Sequence, residues 1–315
     1  MMSGSKNKKR KHLDMDKYIS EMGTKLFHRK YQVEKKSFHN LLDIIKDHLR
    51  NDGSQRLRGA TPNATIVAKD RPSMALWYCA GGETLDIADI HVVGQDEVTE
   101  NLWNVVDVIH NSPVLNIMFP ESHTKHNHIA DDFKHKSNID IDCCIGAMDR
   151  ILIWIIIPSK LDDKMIKFGP AKFFCGRKKT FGLNMQTVYN SRGIFLNAEI
   201  QFLGATSDFY AFNKSDLRKK LEKEVNLCAG FCLFGDNAYV QAPYMCTPWG
   251  NVGAGPNDPF NSFQSQVRIN IEYAFSMLVH RWGILHKPIH VNITVKNNKS
   301  CFHALQAVQV LSFPQ

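Results

Sequence analysis

The run Phe231-Cys232-Leu233-Phe234 is short and apolar on both faces, with Gly230 before it and Gly235-Asp236 after it. That pattern predicts a buried central strand that delivers one carboxylate at its carboxyl end. An uncompensated carboxylate is expensive to bury, so Asp236 is either a ligand position or the cap of the following turn. A longer apolar run, from Cys143 to Ile157, is interrupted only by Asp149 and Arg150. It predicts a second central strand with an internal acid; an Asp149–Arg150 ion pair at a sheet edge is the alternative. Strands are also predicted over residues 180–190 and 193–204, joined as a hairpin through Ser191-Arg192-Gly193. Ser207 or Asp208 then opens a helix running to about Val225. Val267, Ile271, Ala274, Phe275, Leu278, Trp282 and Leu285 recur at helical spacing and predict a long helix over residues 262–285. Glu272 lies at the flank of its apolar stripe, with Arg268 one turn earlier.

Upstream the periodicity is helical. Phe38, Leu41, Leu42 and Ile45 predict an amphipathic helix over residues 37–48, and apolar character returns over residues 66–79. Thr84 caps a short helix carrying Leu85, Ile87, Ala88 and Ile90. Gly94 supplies a turn, and a second helix carries Val98, Leu102, Val105, Val106 and Ile109. The layout is that of a helix-turn-helix, although Asp96, Glu97 and Glu100 on the second helix would repel phosphate. His123, His126, His128, Asp131 and Asp132 match no standard metal spacing and predict a surface loop. The expected organisation is a basic, loosely ordered arm over 1–36, a helical helix-turn-helix-like domain over 37–138, and an α/β domain over 139–315.

Composition narrows the partners. The 315 residues carry a net charge of +8, which favours a polyanion such as nucleic acid. Eight cysteines without a CxxC pair predict reduced, mostly buried thiols in an intracellular protein. No apolar run reaches the ~18 residues of a membrane helix, and the N-terminus lacks a secretory core. The basic block Lys6 to His12 is a nuclear-import signal, a DNA-contacting arm or a solvated tail.

Three strands with a hairpin, a helix, a strand and a long helix follow the order of a ribonuclease H-like core, a mixed sheet flanked by helices. Acids from the first strand, a later strand and the last helix converge in such a core. Three carboxylates in a low-dielectric cleft repel unless cations neutralise them. An all-oxygen donor set favours Mg²⁺ or Mn²⁺ over Zn²⁺.

Four motifs carry a family resemblance: Gly146-Ala147-Met148-Asp149; Gly204-Ala205-Thr206-Ser207-Asp208; Gly235-Asp236-Asn237-Ala238-Tyr239 with Thr247-Pro248; and Arg268-Ile269-Asn270-Ile271-Glu272-Tyr273-Ala274-Phe275 leading into His280-Arg281-Trp282-Gly283-Ile284-Leu285. Over roughly residues 65–295 the chain resembles the DDE transposase-derived nucleases of PIF/Harbinger-type elements. The resemblance implies a catalytic triad of Asp149, Asp236 and Glu272, with Asp208 as a further metal position. By its residues alone, Asp208 reads equally as a helix N-cap. The resemblance also implies divalent-metal-dependent cleavage of double-stranded DNA at transposon ends, strand transfer into target DNA, nuclear localisation and a Myb-like partner protein. Self-association into a homo-oligomer and absence from membranes complete the expectation. Arg177, Lys178, Lys179, Arg268 and Arg281 are candidate phosphate contacts.

The chain departs from the family pattern at Arg150, where the residue is usually Gly, and at Ser276, again usually Gly. Its Ile155-Ile156-Ile157 segment is apolar where charge is common, and Phe313-Pro314-Gln315 stands without the usual Leu-His-Asn segment. Arg150 is expected to pair with Asp149 and compete with metal. These departures keep a second reading open, a domesticated or degenerate relative that binds DNA or protein without cutting. A third is a nuclease acting on RNA or hybrid duplexes.

Overall fold

The structure is a computed structural model describing residues 13–49, 66–136, 141–157, 169–223, 229–250 and 259–289. Among the described residues, one compact unit comprises those up to Asn116 with Arg281–Ile284, and the other comprises Ile117–His280 with those from Leu285 onward. Residues 6–12 and the chain beyond Ile289 lie outside the described residues.

The first unit is helical: α1 (Met15–Glu21), α2 (Thr24–Tyr31), α3 (Lys35–Ile45), α4 (Asp70–Cys79), α5 (Thr84–His91) and α6 (Gln95–His110). Residues 13–36 thus form two helices where the sequence predicts a loose arm. Asp14 caps α1 by accepting from the Lys17 N–H at 3.3 Å, and Met15, Ile19, Phe27 and Tyr31 are buried. Phe27 meets Tyr31 and Phe38 at 4.7 and 5.6 Å between ring centroids, so a small aromatic core orders this basic stretch. The predicted cap at Thr84 is replaced: Glu83 occupies that place, and Thr84 Oγ1 accepts from Gln95 Nε2 at 2.7 Å. Gly94 precedes α6, whose Glu97 carboxylate accepts from the Gly94 N–H at 2.6 Å.

The second unit contains α7 (His123–Lys136), β1 (Cys144–Trp154), β2 (Phe174–Cys175), β3 (Thr180–Tyr189), β4 (Phe195–Leu203), α8 (Asp208–Lys214), α9 (Asp216–Lys223), β5 (Cys232–Phe234), β6 (Met245–Cys246) and α10 (Pro259–Arg281). Helix α7 falls where a histidine-rich loop is expected. Ile129, Ala130 and Phe133 recur at helical spacing and are buried, and Ala130 packs against Ile145 and Met148 of β1. This helix therefore belongs with the sheet rather than with the helical domain assigned to 37–138.

β1 is a central strand. It pairs antiparallel with β3 on one side and parallel with β5 on the other, β3 carries β2 and antiparallel β4, and β5 pairs parallel with β6. Helices cover both faces. On one, Ile145, Met148, Val188 and Leu233 meet Ala130 of α7, Phe212 of α8 and Leu217 and Leu221 of α9. On the other, Phe234 meets Phe260 and Phe263 of α10 at 6.0 and 5.5 Å, and Tyr189 meets Phe275 at 5.2 Å. Each fully buried Ile, Leu, Met, Val or Phe among them contributes about 1.5–3 kcal/mol.

The single helix predicted from residue 207 to 225 is broken at Ser215, which is extended (ψ 153°). Glu199 of β4 accepts the N–H groups of Asp216 and Leu217 at 3.0 and 2.9 Å, and Ser215 Oγ accepts that of Arg218 at 3.0 Å. Three otherwise orphaned donors are thereby satisfied, so a fresh helix start is stable there.

Candidate active site

Two acids are brought together by strand register. Ala147 of β1 pairs with Phe234 of β5 in parallel, and two residues further along each strand stand Asp149 and Asp236. β1 continues past this point while β5 ends, so Asp236 sits in the turn that follows. Its Oδ1 accepts from the Ala238 N–H at 2.9 Å, so the turn-capping reading of Asp236 also holds. Its Oδ2 faces outward to a cation. Gly235 is required by contact: a Cβ there would lie 2.7 Å from the Tyr239 ring and 3.0 Å from Met245 Sδ. The Gly235 carbonyl accepts from Gln264 Nε2 of α10 at 2.8 Å, which fixes the approach to Asp236.

Asp149 lies opposite Thr187 of β3, whose Oγ1 donates to the Asp149 carbonyl at 3.0 Å. Its own Oδ1 accepts from the Arg150 backbone N–H at 2.7 Å. Arg268 of α10 places Nη2 at 3.7 Å from Asp149 Oδ2 and 3.9 Å from Asp236 Oδ2. The Arg268 Nε is buried with no hydrogen-bond partner among the described residues. Burial pushes the Asp149 carboxyl up to about 6; Asp236 and Asp208 add to the rise, against the Arg150 N–H and the Arg268 guanidinium.

Asp208 stands close by in a different role. Ser207 is the N-cap of α8, accepting from the Tyr210 N–H at 3.3 Å, which leaves Asp208 at the first helical position. Arg150 Nε lies 2.8 Å from Asp208 Oδ1, and Asn184 Nδ2 donates to the same oxygen at 3.4 Å. The expected Asp149–Arg150 side-chain pair is therefore absent. Successive side chains of a strand point to opposite faces, so Arg150 leaves on the side of Gln186 and Asp149 on the side of Thr187. Burial raises the Asp208 pKa, and Arg150 opposes it.

Glu272 is one helical turn beyond Arg268 on α10 and is exposed. Among the described residues no group of three or more His, Cys, Asp or Glu side chains is arranged to hold a metal ion. The structure thus joins Asp149 and Asp236 through one guanidinium, holds Asp208 by Arg150, and leaves Glu272 outside that cluster. Of the basic candidates, Arg177, Lys178 and Lys179 are exposed at the β2–β3 turn, whereas Arg281 Nε donates to the Gln32 carbonyl at 2.9 Å.

A buried polar chain escaped the sequence reading. Tyr239 donates to Gln186 Oε1 at 2.8 Å, Gln186 Nε2 to Asn184 Oδ1 at 2.9 Å, and Asn184 to Asp208. The signal for it was Asn184 and Gln186 alternating on one face of an otherwise apolar strand.

A family model described as DDE superfamily endonuclease matches residues 148–312, just over half of the chain. No curated protein and no solved structure matches the chain. The match opens one residue before Asp149 and takes in Asp208, Asp236 and Glu272, and the mixed sheet flanked by helices is compatible with a nuclease of this kind. The chain belongs to the DDE superfamily endonucleases.

Proposed function

We propose that this chain is a transposase-derived endonuclease of PIF/Harbinger type, with a ribonuclease H-like core, that hydrolyses phosphodiesters in double-stranded DNA. The observation that carries the reading is the juxtaposition of Asp149 and Asp236 at the end of the parallel β1–β5 ladder. Their Oδ2 atoms converge on the same cationic nitrogen, and burial makes Asp149 a carboxylate that gains from a nearby cation. This oxygen-only donor pair fits Mg²⁺ or Mn²⁺ better than a softer ion. Bound divalent ions, two in enzymes of this chemistry, supply Lewis-acid activation of water and charge neutralisation at the leaving oxygen.

In this reading Asp149 and Asp236 would hold the divalent cations between them, and Glu272 of α10 would be the third acid, completing the shell of one ion. Asp208 adds negative potential while Arg150 keeps it in place. Arg268 balances the two acids in the absence of substrate and offers its guanidinium to a phosphate when DNA enters. Arg177, Lys178 and Lys179 guide the backbone of the duplex, which makes binding salt-dependent. A nuclear location, a Myb-like recruiting protein and self-association into a homo-oligomer belong to the same proposal.

The test is calorimetry with Mg²⁺ and Mn²⁺ on the wild type and Asp236→Ala, with plasmid nicking on the same samples. Binding and nicking that vanish together in the variant support the reading; equal nicking in both sinks it. An RNA–DNA hybrid substrate run alongside separates DNA cleavage from a general ribonuclease H-like activity.

A second reading draws on Arg150 and Arg268. Both guanidinium groups lie on the acids that would take metal, as in a degenerate or domesticated relative that binds DNA or protein without cutting it. Absence of metal binding in the wild type decides for it.

A further inference from the structure

Three cysteines from separate segments meet behind the acid-bearing turn. Cys232 on β5 has its Sγ 2.9 Å from that of Cys246 on β6 and 3.9 Å from that of Cys143, just before β1. The backbone fixes the arrangement: the Cys232 N–H donates to the Cys143 carbonyl at 2.8 Å, and Phe234 pairs with Cys246 in the parallel β5–β6 ladder. Cys232 is buried, whereas Cys143 and Cys246 are partly exposed. We propose that Cys232 and Cys246 form a peroxide-sensitive thiol couple that closes to a disulfide between β5 and β6, with Cys143 as a third thiol within exchange distance.

The chemistry closes without an added reductant or metal. The Cys246 thiolate attacks one peroxide oxygen, an S–O bond forms, the O–O bond breaks, and the hydroxide released takes up the proton that Cys246 had lost. The Cys232 sulfur then attacks the sulfenic sulfur, an S–S bond forms, and the hydroxyl leaves with the Cys232 proton as water. Two thiols give up two electrons and one peroxide becomes two waters. Hydrogen bonding to Cys232 draws the thiol of Cys246 down and lowers that of Cys143 as well, which favours the nucleophilic thiolate in the couple, while burial holds Cys79 up at about 12 and raises Cys144.

The couple is wired to Asp236. The Cys246 carbonyl accepts from the Gly235 N–H at 3.0 Å, and Gln264 Nε2 donates both to that carbonyl at 3.1 Å and to the Gly235 carbonyl at 2.8 Å. Drawing the sulfurs from 2.9 Å to the ~2.05 Å of a disulfide moves β6 against β5 one peptide away from the acid. This consequence for cation binding rests on the nuclease reading; the thiol couple does not.

The experiment treats the reduced, folded full chain with graded hydrogen peroxide, removes the peroxide, unfolds the chain in urea, alkylates the remaining thiols and maps cross-linked peptides by mass spectrometry. The expected product links Cys232 to Cys246 at doses where Cys79, Cys144 and Cys175 still alkylate fully. Cys232 and Cys246 that remain as alkylatable as those three overturn the couple. In Cys246→Ser, Cys232 should stay alkylatable at the same doses, and its oxidation at the wild-type rate shows that Cys246 is not the reacting thiol. Mg²⁺ calorimetry on the cross-linked wild type should show at least tenfold weaker binding, restored by dithiothreitol. Unchanged binding in the cross-linked protein overturns the link to Asp236. No Mg²⁺ binding in the reduced protein removes the nuclease reading, and with it the link to Asp236, while the peptide map still decides the couple.

Discussion

Arg150 Nε lies 2.8 Å from Asp208 Oδ1, with both side chains largely buried, so a residue expected to neutralise its sequence neighbour instead neutralises an acid on another element. The consequence is a division of labour in which Asp149 and Asp236 share Arg268 while Asp208 has a cation of its own.

Removing that cation should be costly. Arg150→Met leaves a buried carboxylate without its partner and should destabilise the chain by roughly 3–5 kcal/mol. Arg150→Met with Asp208→Asn should recover most of the loss, because neither charge is then stranded. Urea unfolding of the two variants and the wild type measures both; equal instability of single and double variants contradicts the pair.

Asp149 should give the stability a pH signature. Its folded pKa is raised from an ordinary 3.8 to about 6, so between those values the folded chain holds a proton that the unfolded chain has lost. Stability therefore falls as pH rises through that window, and the penalty is complete above it. Asp149→Asn removes the penalty and should stabilise the metal-free protein at pH 7 by on the order of 2 kcal/mol. The advantage should shrink toward zero near pH 4, as read from unfolding midpoints across the range.

Arg268→Gln should move the same window upward. The guanidinium holds the Asp149 carboxyl down against burial, and its loss lets the proton persist to higher pH. The variant's stability should begin to level off at a pH above 6, and a profile superimposable on the wild type would show that the 3.7 Å contact carries no electrostatic weight.

Glu199 should behave as a purely structural acid. It satisfies two N–H groups at the start of α9, and Glu199→Ala should cost about 1–3 kcal/mol, mainly by leaving the buried Leu217 N–H unpaired. Mg²⁺ affinity in calorimetry should stay as in the wild type, in contrast with Asp236→Ala.

Gly235→Ala tests the approach to Asp236. The added methyl would meet the Tyr239 ring and Met245 Sδ, and overpacking of this kind costs about 1–3 kcal/mol. Because the displaced backbone leads straight into Asp236, Mg²⁺ response should fall together with the thermal midpoint.

The frame of the sheet unit was largely legible because its strands are long or wholly apolar. Cys144–Trp154, the hairpin and Cys232–Phe234 follow from runs and alternation, and the long helix from seven apolar positions at one spacing. What could not be read were relationships between elements. The destination of Arg150 depends on which face of β1 it leaves from and on where α8 begins. The break at Ser215 depends on a carboxylate from β4, and β6 is only two residues long. Helix α7 was hidden because histidine and lysine dilute its apolar stripe, and α1 and α2 because their core is a few aromatic side chains within basic sequence. At the site, Asp149, Asp208 and Asp236 were each visible as acids at element ends or interruptions. The position of Glu272 was not, because helical phase sets a side rather than a depth.

The parallel ladder brings Asp149 and Asp236 side by side, and Gly235 and Gln264 hold the turn that carries Asp236, so a small set of groups fixes where the two acids stand. Substitutions that spare the ladder, Gly235 and Gln264 can therefore change the charge around the acids while leaving them in place. Charge and architecture are thus separable at Arg268, whose guanidinium touches the two acids without forming part of the ladder that carries them, and inseparable at Arg150, which is built into the fold through Asp208.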